Sequence, residues 1–353
     1  MKLFTSAFLA LLSLEVLQTA ALPSPPATNS TYPSSCSSPV KRREWRTLSN
    51  DEKLAYTDAV KCLQALPSTA GIMQEATSRF EDFAASHIVL TDEIHMVGQF
   101  FPWHRWYLYL YEKALKEECG YKGVHPYWDW TLDVTDDLKS YAASPVFDPT
   151  YGFGGNGADT GTNYTGVFGN ATNVPGFDPS LSTGGGCITD GPFASYIASV
   201  GPGRSAKKHC LERGFNGSFL YLLTAETIAN ILDQKTFWTG FHYLFDGWPT
   251  PPRPMRPHGA GHLMVGGDMG SFYSGPVDPL FFVYHGYLDK VWWEWQNADP
   301  KERLYLIDGP TTIDPPYEEV TLDFLLKTEG LAPLTPVRQV MDTGNDLLCY
   351  TYE

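Results

Sequence analysis

The sequence contains no CxxC pair, and its six cysteines are spread along the chain. This spacing argues against a metal site built from paired thiolates and favours disulfide bonds formed in an oxidising compartment. We expect three such bonds, which join Cys36 with Cys349, Cys62 with Cys119, and Cys187 with Cys210.

Long apolar runs and an excess of basic residues are also missing. After residue 21 no apolar run approaches the roughly 18 residues that a membrane-spanning helix needs. Lysine and arginine number 25 against 40 aspartates and glutamates, which gives a formal charge of -15. Nucleic acids attract proteins with the opposite charge balance. We therefore expect a soluble protein that binds neither membranes nor nucleic acids.

The first 21 residues have the layout of a secretory signal peptide, because Lys2 precedes an apolar run and small residues end the segment at Ala21. We assign residues 22–40 to a Pro/Ser-rich N-terminal segment and residues 41–353 to the folded domain. Four Asn-x-Ser/Thr sequons fit glycosylation, namely Asn29, Asn163, Asn170 and Asn216. The sequence thus predicts a secreted glycoprotein.

Helix signals dominate the first third of the folded domain. A capping box at Ser49 predicts a helix that runs to Leu66. Apolar residues at helical spacing predict a second helix from Ile72, with His87 on its buried face near its end. His95 falls in the following loop, and Pro102 opens a third helix with the inward stripe His104, Leu108, Tyr111 and Leu115.

The later part of the chain predicts loops followed by further helices. Residues 133–217 are rich in Gly, Pro, Ser, Asn and Asp and indicate long loops with short strands. Helical segments follow at 224–232 and 236–246, and a strand is expected at 311–320. His258 and His262 share one helix face, while Asp278 and Pro279 open a helix that carries His285. The fold class is therefore mainly α, with a four-helix bundle, long loops and a few short strands.

Six of the nine histidines fall into two triads, which are His87, His95 and His104, then His258, His262 and His285. The remaining three, His125, His209 and His242, are interpreted as core or loop residues. All-imidazole sites suit copper, and also zinc, iron or nickel. HExxH and ExxH patterns are missing at both triads, which disfavours zinc hydrolases and carboxylate-bridged di-iron proteins. Two copper ions can exchange two electrons with O2, and the oxidation of a catechol to an o-quinone requires two.

Four motifs carry a resemblance to a known family: His95-x8-His104-Arg, Pro126-Tyr-Trp-Asp-Trp, His258-x3-His262, and Asp278-Pro-Leu-Phe281-x3-His285-x3-Asp289-Lys. Together they resemble the tyrosinase, catechol oxidase and hemocyanin family, and most closely the short secreted fungal tyrosinase-like polyphenol oxidases. The resemblance implies that residues 41–353 form a copper domain with one ion on each triad and O2 as co-substrate. It also implies that Phe281 lies beside the copper pair and that Asp289 orients a ligand imidazole.

The sequence departs from the family at positions that govern specificity. Many relatives link a cysteine to the second ligand, and here no cysteine lies between Cys62 and Cys119. Hydroxylating relatives hold a water between an Asn and a Glu; the Asn position here is Gly259, and Asp246 is the candidate for the carboxylate. Gly259 and Leu263 are expected to line the mouth of the site.

We therefore expect oxidation of o-diphenols and o-aminophenols, with weak hydroxylation confined to small monophenols. A true tyrosinase with substantial monophenolase activity, a hemocyanin-like oxygen carrier and a dinuclear zinc hydrolase are the alternatives. Tyr350-Thr-Tyr352 resembles the motif that precedes a plugging domain in longer relatives, and the sequence ends at Glu353. We expect either that this enzyme needs no plug or that something else restrains it. The expected partners are small phenols, and the expected assembly is a monomer or weak homodimer.

Overall fold

The computed structural model describes residues 35–134, 137–161, 174–248 and 253–353. The predicted signal peptide and the sequons Asn29, Asn163 and Asn170 lie outside these ranges. Across the described residues, no helix combines the length and apolar character required to cross a lipid bilayer.

The described chain is mainly helical, as predicted. The helices are α1 Asn50–Ala65, α2 Arg79–Ile94, α3 Phe100–Cys119, α4 Leu138–Ala142, α5 Ala225–Leu232, α6 Tyr243–Phe245, α7 Pro257–Val265, α8 Leu280–Ala298 and α9 Pro300–Arg303. A π-helical turn, Phe237–His242, runs directly into α6. Gly247, with a φ of 94°, ends this segment where the sequence predicts a stop.

In the described parts of the chain, short strands form four two-stranded sheets. The strands are β1 Val40–Arg42, β2 Gly157–Asp159, β3 Gly185–Ile188, β4 Ile197–Ala198, β5 His209–Cys210, β6 Leu325–Leu326, β7 Thr335–Pro336 and β8 Tyr350–Tyr352. β1 and β8 pair in parallel, with Val40 opposite Tyr350, and so join the two ends of the domain. The other three pairs, β2–β3, β4–β5 and β6–β7, are antiparallel.

All three predicted disulfide bonds are present. Cys36 bonds to Cys349 beside the β1–β8 pair. Cys62 near the end of α1 bonds to Cys119 at the end of α3, and Cys187 bonds to Cys210 across the loop region.

The prediction for α2 was wrong at both ends. The helix begins at Arg79 because Ser78 and Glu81 form a capping box, in which each side chain accepts the other residue's backbone N–H. It then continues to Ile94, so His87 lies in mid-helix and not near the end. His95 follows as the C-cap in extended conformation, which confirms the predicted break.

The functional core is a bundle of α2, α3, α7 and α8. Every residue from Leu280 to Asp289 of α8 is buried, as expected for a helix enclosed on all sides. Tyr111 of α3 stacks on Phe282 of α8 with ring centroids 3.5 Å apart. The predicted inward stripe of α3 is buried throughout. The four-helix bundle expected from the sequence is therefore present.

Two local expectations were wrong. Residues 311–320 form no strand, since the segment turns back on itself through a Thr311 N–H to Glu318 C=O bond, and Pro315 and Pro316 lack ladder donors. The Asn216 sequon is buried, and its amide donates to the Asp178 carbonyl and the Ser182 hydroxyl. That amide is therefore not available to a glycan in this conformation.

Candidate metal centre

The bundle brings the six predicted ligands together in two groups. His87 on α2, His95 after it and His104 on α3 form the first triad. The second triad consists of His258 and His262 on α7 and His285 on α8. Within each group the candidate ligand atoms lie within 4.8 Å of one another.

Hydrogen bonds to carbonyl groups fix the first triad. Nδ1–H of His87 donates to the Tyr273 carbonyl at 2.6 Å. His95 and His104 donate in the same way to carbonyls one turn earlier in their own segments, each at 2.9 Å. A ring that donates through Nδ1 presents the lone pair of Nε2 as its free ligand atom. Nε2 of His87 and of His104 is buried without any hydrogen-bond partner among the described residues.

The second triad is held by one carboxylate and one carbonyl. Nδ1–H of His258 donates to Asp246 Oδ1 at 2.7 Å, and Nδ1–H of His262 donates to the Met269 carbonyl at 2.8 Å. Nε2 of His262 then lies 3.1 Å from Nε2 of His258 and 3.2 Å from Nε2 of His285. Two nitrogens that share one tetrahedral ion at about 2.0 Å lie about 3.3 Å apart. The triad therefore already has the spacing of ligands around a single metal ion.

Burial keeps these rings neutral. Desolvation lowers the pKa of His95 to about 4 and that of His258 to about 3. It lowers the pKa of the other four ligands well below the ordinary value. Neutral imidazoles bind metal without first losing a proton.

The two triads face each other across a short gap. The rings of His95 and His258 are nearly parallel at 5.8 Å, and those of His104 and His285 at 4.6 Å. Six neutral imidazoles with no carboxylate or thiolate in either set are a donor set suited to copper. The arrangement fits a binuclear copper site.

Comparison with known proteins agrees with this geometry. The description "Common central domain of tyrosinase" matches residues 77–298, a range that contains both triads. The chain belongs to the tyrosinase family.

Several family members resemble the chain over most of their length. Tyrosinase P of Aspergillus terreus is 34% identical over 90% of this chain and 93% of its own. N-acetyl-6-hydroxytryptophan oxidase ivoB of Emericella nidulans is 33% identical over 88% of this chain and 92% of its own. The solved structure of a polyphenol oxidase from Thermothelomyces thermophila, in a glycine-to-asparagine mutant form, aligns with a TM-score of 0.76 and 33% identity over 89% of this chain and 88% of that one.

Phe281 occupies the place expected from the tyrosinase resemblance. Its buried ring stacks on His285 with centroids 4.0 Å apart and lies 5.3 Å from His87 and 5.6 Å from His262. It therefore fills the space between the triads on the side of α8 and excludes water there.

Asp289 does not have the role that the resemblance implies. It contacts no triad histidine; its Oδ1 accepts from Arg105 at 2.6 Å, and its Oδ2 accepts from the hydroxyls of Tyr350 and Tyr352 at 2.5 Å. Oδ2 also accepts from Arg42 at 3.3 Å. These four donors saturate the carboxylate, so Asp289 joins α8 to the two ends of the domain. Nδ1 of His285 is buried without a partner among the described residues.

Asp246 has the role that was expected of Asp289, because it orients a ligand imidazole. Both of its oxygens are engaged, Oδ1 by His258 and Oδ2 by the backbone N–H of Met96 at 2.8 Å. The carboxylate therefore orients the imidazole of His258, a candidate ligand of the second triad. A rule of metal sites could have pointed to this role, because ligand histidines commonly donate their second N–H to a carboxylate.

A cavity of about 210 Å³ leads to both triads. Gly259 and Leu263 line it, as predicted. Phe272, which sequence reasoning missed, also lines it and packs on His95 with centroids 4.8 Å apart. Phe272 and Phe100 together hold the His95 ring by contact. No spacing pattern links Phe272 to His95, so only the fold reveals the contact.

The loop between α7 and α8 serves both triads. Its Met269 carbonyl accepts from His262, and its Tyr273 carbonyl accepts from His87. Asp268 in the same loop accepts from His209 at 2.8 Å and from the Glu212 backbone N–H at 2.8 Å. His209, which the sequence analysis interpreted as a loop residue, thus anchors the segment that carries the Met269 and Tyr273 carbonyls.

Proposed function

We propose that this tyrosinase-family oxidase converts o-diphenols, and o-aminophenols of similar size, to o-quinones and o-quinone imines. Two diphenols and one O2 give two quinones and two waters, so electrons and protons balance. Hydroxylation of monophenols is weak and confined to small substrates. The observation that carries the proposal is that Gly259 offers no side chain to hold a water in the cavity. Each oxygen of Asp246, which lines the same cavity, already accepts a hydrogen bond from the protein.

A bound copper pair would supply the two-electron exchange between phenol and O2. The protein's own contribution is to hold six Nε2 lone pairs in two converging sets and to keep every ring neutral. Leu263 and Phe272 supply apolar walls of the cavity, Phe281 packs against His285, and the carbonyls of Met269 and Tyr273 keep two ligands in the required tautomer.

The preference for diphenols rests on proton transfer. A monophenol must lose its proton before it can bind a metal ion as phenolate, and a water held by protein side chains can assist this step. Gly259 has no side chain to hold such a water, and neither oxygen of Asp246 is without a donor. A catechol has two hydroxyls and is oxidised without addition of oxygen, so it depends less on this assistance.

A substrate panel tests the proposal. Purified protein with copper counted per chain is assayed for O2 uptake with catechol, o-aminophenol, p-cresol and tyramine. We expect rapid uptake with the first two, slow uptake with p-cresol and little with tyramine. Comparable initial rates for tyramine and catechol would show that the enzyme is a tyrosinase with full monophenolase activity.

A hemocyanin-like oxygen carrier is the second candidate. Such a protein shields its metal pair from phenols, whereas this cavity is lined by Trp248 and Phe272, which are 36% and 40% exposed. The cavity therefore reaches the surface, which supports an enzyme. Reversible O2 binding without quinone formation from catechol would favour the carrier.

Secretion and a monomeric or weakly dimeric state are part of the proposal. Three disulfide bonds support an oxidising, extracellular location. When the protein is expressed with its native N-terminus, protein that lacks residues 1–21 should appear in the medium. Retention of the full-length protein inside the cell would contradict secretion. Light scattering of the purified protein checks the assembly.

A further inference from the structure

Charge at the mouth of the cavity is distributed unevenly. Among the described residues that line the cavity, three side chains carry a formal charge at neutral pH: Asp246, Arg253 and Arg256. Asp246 is buried at the inner end, where His258 and the Met96 N–H take both of its oxygens. Of the two cations, Arg256 alone carries the inference.

Arg256 is the better placed of the two. It is the N-cap of α7 and lies two residues before His258, so the backbone holds it at a fixed position relative to the second triad. Its guanidinium lies 4.2 Å from the ring centroid of Tyr243, which in turn packs on Trp248. Its Nε is buried and has no hydrogen-bond partner among the described residues. The residue as a whole is only partly exposed, so solvent screens its charge less than that of a fully hydrated arginine.

The orientation of a bound phenol follows from the site. The hydroxyls must face the converging Nε2 atoms, so the opposite end of the ring points toward the opening beside Arg256 and Trp248. The overall charge of -15 opposes an anion only weakly at this point. At physiological ionic strength, charges are screened over about 8 Å, so the nearby Arg256 outweighs distant carboxylates.

Resting on the o-diphenol oxidation proposed above, we propose that this mouth selects o-diphenols that carry a carboxylate at the end of the ring remote from the hydroxyls. Arg256 binds the carboxylate directly. The acidic group is thus a specificity element and takes no part in the electron transfer.

The first test compares three catechols of similar size: 3-(3,4-dihydroxyphenyl)propionate, its methyl ester, and dopamine. We expect kcat/KM to be about tenfold higher for the acid than for the ester, and lowest for the amine, because a charge-assisted hydrogen bond is worth about one such factor. High salt should reduce the advantage of the acid. Equal kcat/KM for acid and ester at low salt would overturn the inference.

Variants assign the effect to Arg256. In Arg256→Gln the ratio of kcat/KM for acid to that for ester should fall about tenfold, mainly through KM, and Arg256→Lys should keep part of it. Lys301→Gln removes the same charge from a side chain that is 90% exposed on α9, and should leave the ratio unchanged. A parallel loss for acid and ester in Arg256→Gln would mean that Arg256 supports the fold and not the selection.

A binding measurement needs neither turnover nor a variant. Calorimetry with 3-phenylpropionate, which cannot be oxidised at a hydroxyl, should show tighter binding than 3-phenylpropionamide, and equal affinities would contradict the inference.

The proposed function and the proposed selection by charge are contradicted by different results. If the native protein oxidises no catechol, the proposed function is rejected. If it oxidises the acid and the neutral ester equally well, only the selection by charge is rejected.

Discussion

Asp246 accepts Nδ1–H of His258 at 2.7 Å and, through its other oxygen, the backbone N–H of Met96 at 2.8 Å. Because Met96 directly follows His95, one buried carboxylate is tied to a ligand of the second triad and to the neighbour of a ligand of the first. The Asp246 side chain thus connects the two triads through hydrogen bonds.

Asp246→Asn should weaken copper binding by about 10- to 100-fold, the usual cost of losing a carboxylate partner of a ligand histidine. The amide is neutral and competes poorly for the Nδ1–H of His258. Copper affinity is measured by competition with a chelator of known strength. Asp233→Asn, at a side chain that is 85% exposed, is the control. Equal affinities in the two variants would show that Asp246 does not position His258.

Gly259→Asn should raise monophenol hydroxylation relative to catechol oxidation, because the added amide can hold a water near the phenol hydroxyl. The new Cβ would lie 2.9 Å from Sδ of Met255, the end of a flexible side chain that can move. Gly259→Ala adds the same Cβ without the amide and is the matched control. The ratio of initial rates for p-cresol and 4-methylcatechol reports the effect, and the same ratio in all three proteins would exclude the water-holding argument.

The pair of His209 and Asp268 should make stability depend on pH. Burial alone lowers the pKa of His209, but the hydrogen bond and charge of Asp268 raise it to about 9. This contribution to stability is complete below the unfolded pKa of about 6.5 and is lost as pH rises through about 9. Denaturant midpoints should therefore fall between pH 6.5 and 9 more steeply in the native protein than in Asp268→Asn. Parallel curves for the two proteins would contradict the assignment.

His262→Ala should remove copper from the second triad and abolish turnover, because His262 Nε2 lies within 3.2 Å of the other two ligand atoms of its group. Copper per chain and catechol oxidation are measured on the same sample. Lys301→Ala, at a side chain that is 90% exposed on α9, is the control and should keep its copper. Full activity in His262→Ala would refute the ligand assignment.

The sequence predicted the ligands well because they lie on regular helices. A spacing of four residues places His258 and His262 on one face, and the Asp278-Pro279 start fixes the phase of the helix that carries His285. The helix begins at Leu280, one residue later than predicted, with Pro279 as its N-cap, and Asp278 accepts the Leu280 N–H at 3.0 Å. Local periodicity and capping were sufficient for these residues.

The side chains around the ligands were harder to predict because their partners are distant in the chain. Asp289 follows His285 by one helical turn, which suggested a contact between them, yet its partners Arg42 and Tyr350 come from the two ends of the domain. Phe272 reaches His95 from a loop some 177 positions later, a contact that no helical period encodes. The start of α2 is different, since the Ser78–Glu81 capping box is visible in the sequence and outweighs the apolar spacing from Ile72.

Metal content is the most direct test of a binuclear copper centre. Elemental analysis of protein produced with copper available, with concentration fixed by amino-acid analysis, should give two copper atoms per chain and no stoichiometric zinc or iron. One copper per chain, or zinc in place of copper, would contradict the account.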